Sequence, residues 1–127
     1  MKLLPFLLCL GLTFSFAQNS MHQDIIDIEK KVIEWRRDFH ENPELSNQEF
    51  KTAEKIAAHL KSLGLEVETG VAITGVVGLL KGDLSGKVVA LRADIDALPV
   101  TERNNLPFKS EVVTNFLNTE TGVMHAC

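Results

Sequence analysis

A change of hydrophobic period at Gly64 constrains this chain more than any other feature. Up to Leu63 the apolar residues recur at spacings of three and four, which marks amphipathic helices; beyond it they alternate or run together, as in strands. Helices followed by strands point to an α/β or α+β layer architecture. Helix one is expected to open on a capping box formed by Ser20 and Gln23, with Ile25, Ile28, Val32, Trp35 and Phe39 in one apolar stripe. It should end before Pro43, because the residue preceding a proline is pushed out of the α region. Helix two is expected from a second capping box, Ser46 and Glu49. Its buried face would carry Phe50, Ala53, Ile56, Ala57, Leu60 and Leu63, with Gly64 as the C-terminal cap.

Beyond Gly64, Leu65 to Thr69 alternates as a short strand and Val76 to Leu80 is an apolar run broken by Gly78. Gly82 to Gly86 forms a turn. The segment Lys87-Val88-Val89-Ala90-Leu91-Arg92 is nearly continuous in apolar residues, which predicts a strand buried on both faces of a helix-covered sheet. Thr101 to Thr121 is polar and mixed and is expected to be mostly loop. The chain has no internal repeats and no low-complexity linker.

Composition bounds the partners. The chain has 127 residues, with 13 Lys and Arg against 17 Asp and Glu, so a mildly acidic balance argues against nucleic acid and anionic membranes. Apolar residues make up 45% and charged residues 24%, proportions of a globular chain with room for one domain at most. Residues 1–17 have the pattern of a secretory signal peptide. Lys2 is a short basic start, Leu3 to Phe16 are mainly apolar, and Ser15 and Ala17 are the small residues of a cleavage site. The apolar run is shorter than the ~20 residues that span a bilayer, so no stable membrane anchor is expected. Cleavage would leave residues 18–127, exported to periplasm or extracellular space, and would take the formal charge from −4 to −5 by removing Lys2. Cys9 would leave with the signal. Cys127 would then be the single thiol, with no internal disulfide framework: free, paired with another chain, or bound to a metal.

Three places carry groups capable of chemistry. Asp94 and Asp96 lie where the apolar strand runs out, in Arg92-Ala93-Asp94-Ile95-Asp96-Ala97-Leu98-Pro99. Open α/β sheets place ligands at such strand ends, and the pair would suit a divalent cation or the orientation of a metal-bound histidine; the alternative is a solvated turn. His125 and Cys127 form the second place, with imidazole and thiolate both suited to zinc-like metals, against a packed His and a free thiol. The third is the junction of the helices, with His40 and Glu44. There Pro43 and Ser46 can shape a helix corner while His40 sits as a favourable cation at the end of helix one.

Taken in order, these segments resemble the amidohydrolase branch of metallopeptidase family twenty, which includes hippurate hydrolase, N-acyl-amino-acid amidohydrolases and indole-acetyl-amino-acid hydrolases. Trp35-Arg36-Arg37-Asp38-Phe39-His40-Glu41-Asn42-Pro43-Glu44-Leu45-Ser46, followed by Glu49 and Thr52, matches the end of the family's opening helix. Arg92 to Pro99, with Glu102 after it, matches its Arg-Ala-Asp-x-Asp-Ala-Leu-Pro segment, and Gly122 to Cys127 matches the start of its Met-His-Ala-Cys-Gly-His-Asp motif. The resemblance covers the chain from about Ile28 onward.

The resemblance implies an α/β fold, the N-terminal part of a zinc-peptidase-like three-layer catalytic domain with two helices and then sheet strands, incomplete and lacking the lid domain. It implies two divalent ions, zinc or manganese, and hydrolysis of the amide bond of N-acyl amino acids or small peptides. Cys127 stands at a metal-ligand position, and Asp96, Asp94 and His125 are implied neighbours of the metal site. The general-base glutamate and the other ligands would lie downstream, so the 127-residue chain by itself is expected to be inactive. The full-length form is open to homo-oligomerisation. Two other readings stand beside this one: a small exported binding domain, and an interaction module that dimerises through a Cys127 disulfide.

Overall fold

The computed structural model describes the backbone from residue 4 to residue 127 and the side chains from residue 22 onward. The signal segment 1–17, with Lys2, Cys9, Ser15 and Ala17, lies outside the described side chains. Among the described residues, no helix is long and apolar enough to cross a membrane. The chain divides into two compact units, residues 1–36 and 37–127.

Helix α1 runs from Leu4 to Glu41. It starts well upstream of Ser20, so the expected capping box is corrected: Ser20 and Gln23 are interior, where no backbone N–H is left for a cap to satisfy. The Gln23 amide instead donates to Asp27 Oδ1, one turn on, at 2.8 Å. In residues 22–36 the expected apolar stripe is largely open, with Ile25, Ile28 and Val32 exposed and Trp35 partly covered. Lys31 lies within 3.2 Å of Glu34 and 5.7 Å from the Trp35 ring centroid, the i, i+3 and i, i+4 neighbours of a helix surface. The helix stops two residues short of Pro43, as the sequence predicts.

In residues 37–127, helix α2 spans Phe50–Ser62, strand β1 Glu66–Val71, β2 Gly75–Leu79, β3 Val113–Phe116 and β4 Thr119–Gly122. The second capping box is also corrected. Glu49 flanks the helix without capping it, and Glu44 takes over: its carboxylate accepts from the amides of Lys51 at 3.2 Å and Thr52 at 2.8 Å. A carboxylate there satisfies two orphan donors and meets the positive end of the helix dipole. Glu49 is instead buried and accepts the Thr74 hydroxyl at 2.6 Å, tying the start of α2 to the turn between β1 and β2. The buried face of α2 is Thr52, Ala53 and Ala57, with Ile56 and Leu60 partly covered; Phe50 and Leu63, expected inside, are exposed. The C-terminus is as expected. Gly64 adopts φ +81°, its amide bonds the Lys61 carbonyl, and the Leu65 amide bonds that of Leu60, a Schellman closure.

Strands β1 and β2 form an antiparallel hairpin in which Glu66 faces Leu79 and Thr69 faces Val76. Gly78 lets it approach α2: a Cβ there would meet the Leu60 side chain at 3.0 Å and that of Leu65 at 3.1 Å. The expected buried strand at 87–92 does not form. Val88, Val89 and Leu91 are 84%, 83% and 96% exposed. A strand needs a neighbour for its N–H and C=O groups, and the described sheets are two separate pairs, β1–β2 and β3–β4, neither of which reaches this segment. The stretch expected as loop instead contains the second hairpin, β3 and β4. Leu117 and Asn118 turn it with φ of 51° and 64°, the two-residue geometry that matches strand twist.

Single bridges join these pieces: Leu45 pairs with Ala97 in parallel fashion, and Leu98 with Met124 antiparallel. Where they meet, Leu45, Ala97 and Val123 form a buried apolar cluster. The architecture is thus α/β: two helices followed by small antiparallel strands.

Candidate functional site

The bridges gather the ends of three sequence motifs. The Ala97 amide donates to the Glu44 carbonyl at 2.8 Å, and Leu98 and Met124 exchange backbone hydrogen bonds at 3.0 and 3.1 Å. On its other side Val123 donates to the Val112 carbonyl at 3.0 Å. Residues 123 and 124 are therefore held from both sides immediately before His125 and Cys127. The helix junction, the aspartate segment and the terminal segment meet here although 62 residues separate His40 from Glu102.

Glu102 and His40 meet at this junction. The Glu102 side chain is 1% exposed and that of His40 14%. Both carboxylate oxygens lie 3.0 Å from His40 Nε2, and Oε2 also accepts the Ser110 amide at 2.6 Å. Hydrogen bonding from His40 first, and from Ser110 next, holds the Glu102 carboxyl below the usual carboxylate range. An ionised carboxylate only accepts, so the His40 Nε2 carries the proton between them. Phe108 packs edge-on to the His40 ring, with centroids 6.0 Å apart, and its own ring lies 4.9 Å from the Arg37 guanidinium. His40 does more than occupy the helix end: its ring joins α1 to the segment after Pro99.

The predicted site residues separate. Asp94 points to solvent and pairs with Arg92, at 2.7 Å from Nη2, with both side chains mostly exposed. Asp96 is half-buried and lies close enough to His125 for its charge to favour the imidazolium. The two aspartates therefore do not act as a pair, because the strand expected to align them is not formed. Burial, and next the charge of nearby His40, push the His125 imidazole below its ordinary value. Its Nε2 is enclosed and has no hydrogen-bond partner. Cys127 is a free, exposed thiol. Among the described residues, no three His, Cys, Asp or Glu side chains converge as a metal-holding group. Sequence reasoning named Glu102 only as part of a motif and missed Ser110. Neither partner of the His40–Glu102 contact reveals the other, since nothing local connects residues so far apart.

No family model matches the chain. It is 49% identical over 108 residues to thermostable carboxypeptidase 2 of Saccharolobus solfataricus, a match that covers 84% of this chain and 25% of the carboxypeptidase. It is 44% identical to the hippurate hydrolase of Campylobacter jejuni, over 82% of this chain and 25% of that protein. Its fold matches the crystal structure of a dinuclear metal-binding M20 peptidase from Bacillus subtilis with a TM-score of 0.66 and 45% identity, over 77% of this chain and 25% of that one. The chain spans about a quarter of the length of these relatives. By sequence and by fold, the chain is thus similar, over most of its own length, to one part of a carboxypeptidase, a hippurate hydrolase and a dinuclear metal-binding M20 peptidase.

Proposed function

We propose that this chain contributes part of the catalytic domain of a metal-dependent amidohydrolase that cleaves the amide bond of N-acyl amino acids or small peptides. The observation that carries this reading is its likeness, across more than four-fifths of its residues, to hydrolases acting on such bonds.

The residues present fit one position of a metal site. Cys127 presents a free thiol, and a thiolate suits zinc-class ions. Two residues before it, the partnerless His125 Nε2 marks a polar environment awaiting another group, since a buried polar atom without a partner costs free energy. Cys127 is assigned as the ligand, with His125 and Asp96 as its neighbours; Asp94 stands apart, held by Arg92. Two divalent ions, zinc or manganese, would supply polarisation of the scissile carbonyl and activation of water. The chain's own part is to fix the backbone at Val123 and Met124, just before Cys127, and to bury the His125 ring beside it, which disfavours the imidazolium. On this reading the 127-residue chain by itself is expected neither to turn over substrate nor to hold two ions. Export by a signal at residues 1–17 belongs to the same reading.

The test combines the coding DNA beyond codon 127 with an assay. An in-frame continuation opening Gly-His-Asp is expected, and its protein should hydrolyse N-benzoylglycine with zinc or manganese and stop with a chelator. A stop codon after Cys127, or turnover by the 127-residue product, would overturn the reading.

A further inference from the structure

We infer that Glu102 is a positioning residue for the thiol of Cys127, acting through Ser110 on the backbone that carries it. The inference rests on the assignment of Cys127 as a metal ligand and extends it to residues without that role. Glu102 Oε2 accepts the Ser110 amide at 2.6 Å, and the Ser110 hydroxyl donates to the Val123 carbonyl at 2.6 Å. The same hydroxyl oxygen accepts the Val112 amide at 3.2 Å, and Val123 in turn donates to the Val112 carbonyl at 3.0 Å. Ser110 is thus locked at both its amide and its hydroxyl, and Val123 at both its amide and its carbonyl. Four residues further on is Cys127.

The anchor at the other end of this chain is equally fixed. His40 sits in the last turn of α1, and its Nε2 faces both oxygens of Glu102. Glu102 cannot rotate without leaving either an imidazole N–H or the Ser110 amide unpaired in a nearly closed space, which is costly. A side chain 1% exposed, with its acceptors shared between a helix end and a loop, therefore sets where the Val123 carbonyl lies. The direction in which His125, Ala126 and Cys127 leave the fixed backbone at Val123 and Met124 follows from it. Partners outside the ligand shell typically change metal affinity by about 10–100-fold when removed, by letting the ligand drift from its geometry.

The test uses protein expressed from the complete reading frame and loaded with cobalt(II), whose sulfur-to-metal absorption band reports a thiolate ligand directly. Ser110→Ala removes the hydroxyl bond to Val123 but keeps the amide that Glu102 accepts; it is expected to weaken cobalt binding about tenfold and shift the band. Ser110→Thr, which keeps a hydroxyl, should restore affinity to within about twofold of the unsubstituted protein. Glu102→Gln should resemble Ser110→Ala; if circular dichroism shows that it fails to fold, the two Ser110 variants decide. Unchanged affinity and band in Ser110→Ala, or no rescue by threonine, would overturn the inference while leaving Cys127 as a ligand. A band absent from the unsubstituted protein, or surviving Cys127→Ala, would overturn the ligand assignment and this inference together.

Discussion

Replacing Leu45 by alanine tests whether the cluster of Leu45, Ala97 and Val123 holds the site together. Leu45 is 6% exposed, and it lies opposite Ala97 in a parallel bridge. The substitution removes three carbons from a buried position, worth about 0.8 kcal/mol each, or roughly 2.4 kcal/mol. The cavity adds to this, but the cluster is small, so its surroundings can partly collapse, and the total should be about 3 kcal/mol, low in the range for such changes. The readout is local. The amides of Ala97, Leu98, Val123 and Met124 are hydrogen-bonded around this cluster and should be slow to exchange with deuterium. With about 1.4 kcal/mol per factor of ten, their protection should fall on the order of a hundredfold in Leu45→Ala. Amides of the β1–β2 hairpin, which do not touch the cluster, should change less. A loss of protection under fivefold, or an equal loss in both regions, would refute the argument that these three residues unite the three motifs.

Other outcomes follow from single contacts. Glu44→Ala should destabilise by about 1–2 kcal/mol in urea unfolding, since it strips the caps from the Lys51 and Thr52 amides, whereas Ser46→Ala should be nearly silent. Gly122→Ala would place a Cβ 2.7 Å from Thr101 Cα, so backbone must move beside Glu102; a cost of about 1–3 kcal/mol is expected in the same measurement. Acid should weaken the fold through two groups. The folded Glu102 carboxyl titrates below its unfolded range, so its contribution is present above about pH 4.5 and lost as pH falls through the folded value. His125 is also shifted down, so the unfolded chain binds its proton first, and stability begins to fall below about pH 6.5. Thermal melts from pH 7 to pH 3 should show this decline, and Glu102→Gln should flatten its most acidic part. Asp94→Ala should change stability by less than about 0.5 kcal/mol, because its partner Arg92 is as open to water as Asp94 itself.

Elements whose signals are local can be read from the residues directly. The stop of α1 before Pro43 and the Schellman turn at Gly64 follow from backbone sterics at a proline and a glycine. Strands β1 and β2 follow from the change of period, though not their antiparallel pairing, and the resemblance to known hydrolases follows from three motifs in order. Both capping boxes misled, because a cap matters only where a helix begins: α1 was already under way at Ser20, and Glu44 outcompeted Ser46 with a charge. The β3–β4 hairpin was visible in principle, as β-branched residues on either side of Leu117-Asn118, but its polar surroundings masked it. Tertiary structure alone decided the rest. Apolar content at Val88–Leu91 cannot make a strand without a neighbour to accept its hydrogen bonds. Nor can any local pattern show that His40 and Glu102 are hydrogen-bonded, or that Ser110 holds the Val123 carbonyl four residues before Cys127. Such contacts join residues far apart in the chain, and only the packing of Leu45, Ala97 and Val123 brings them within hydrogen-bonding distance.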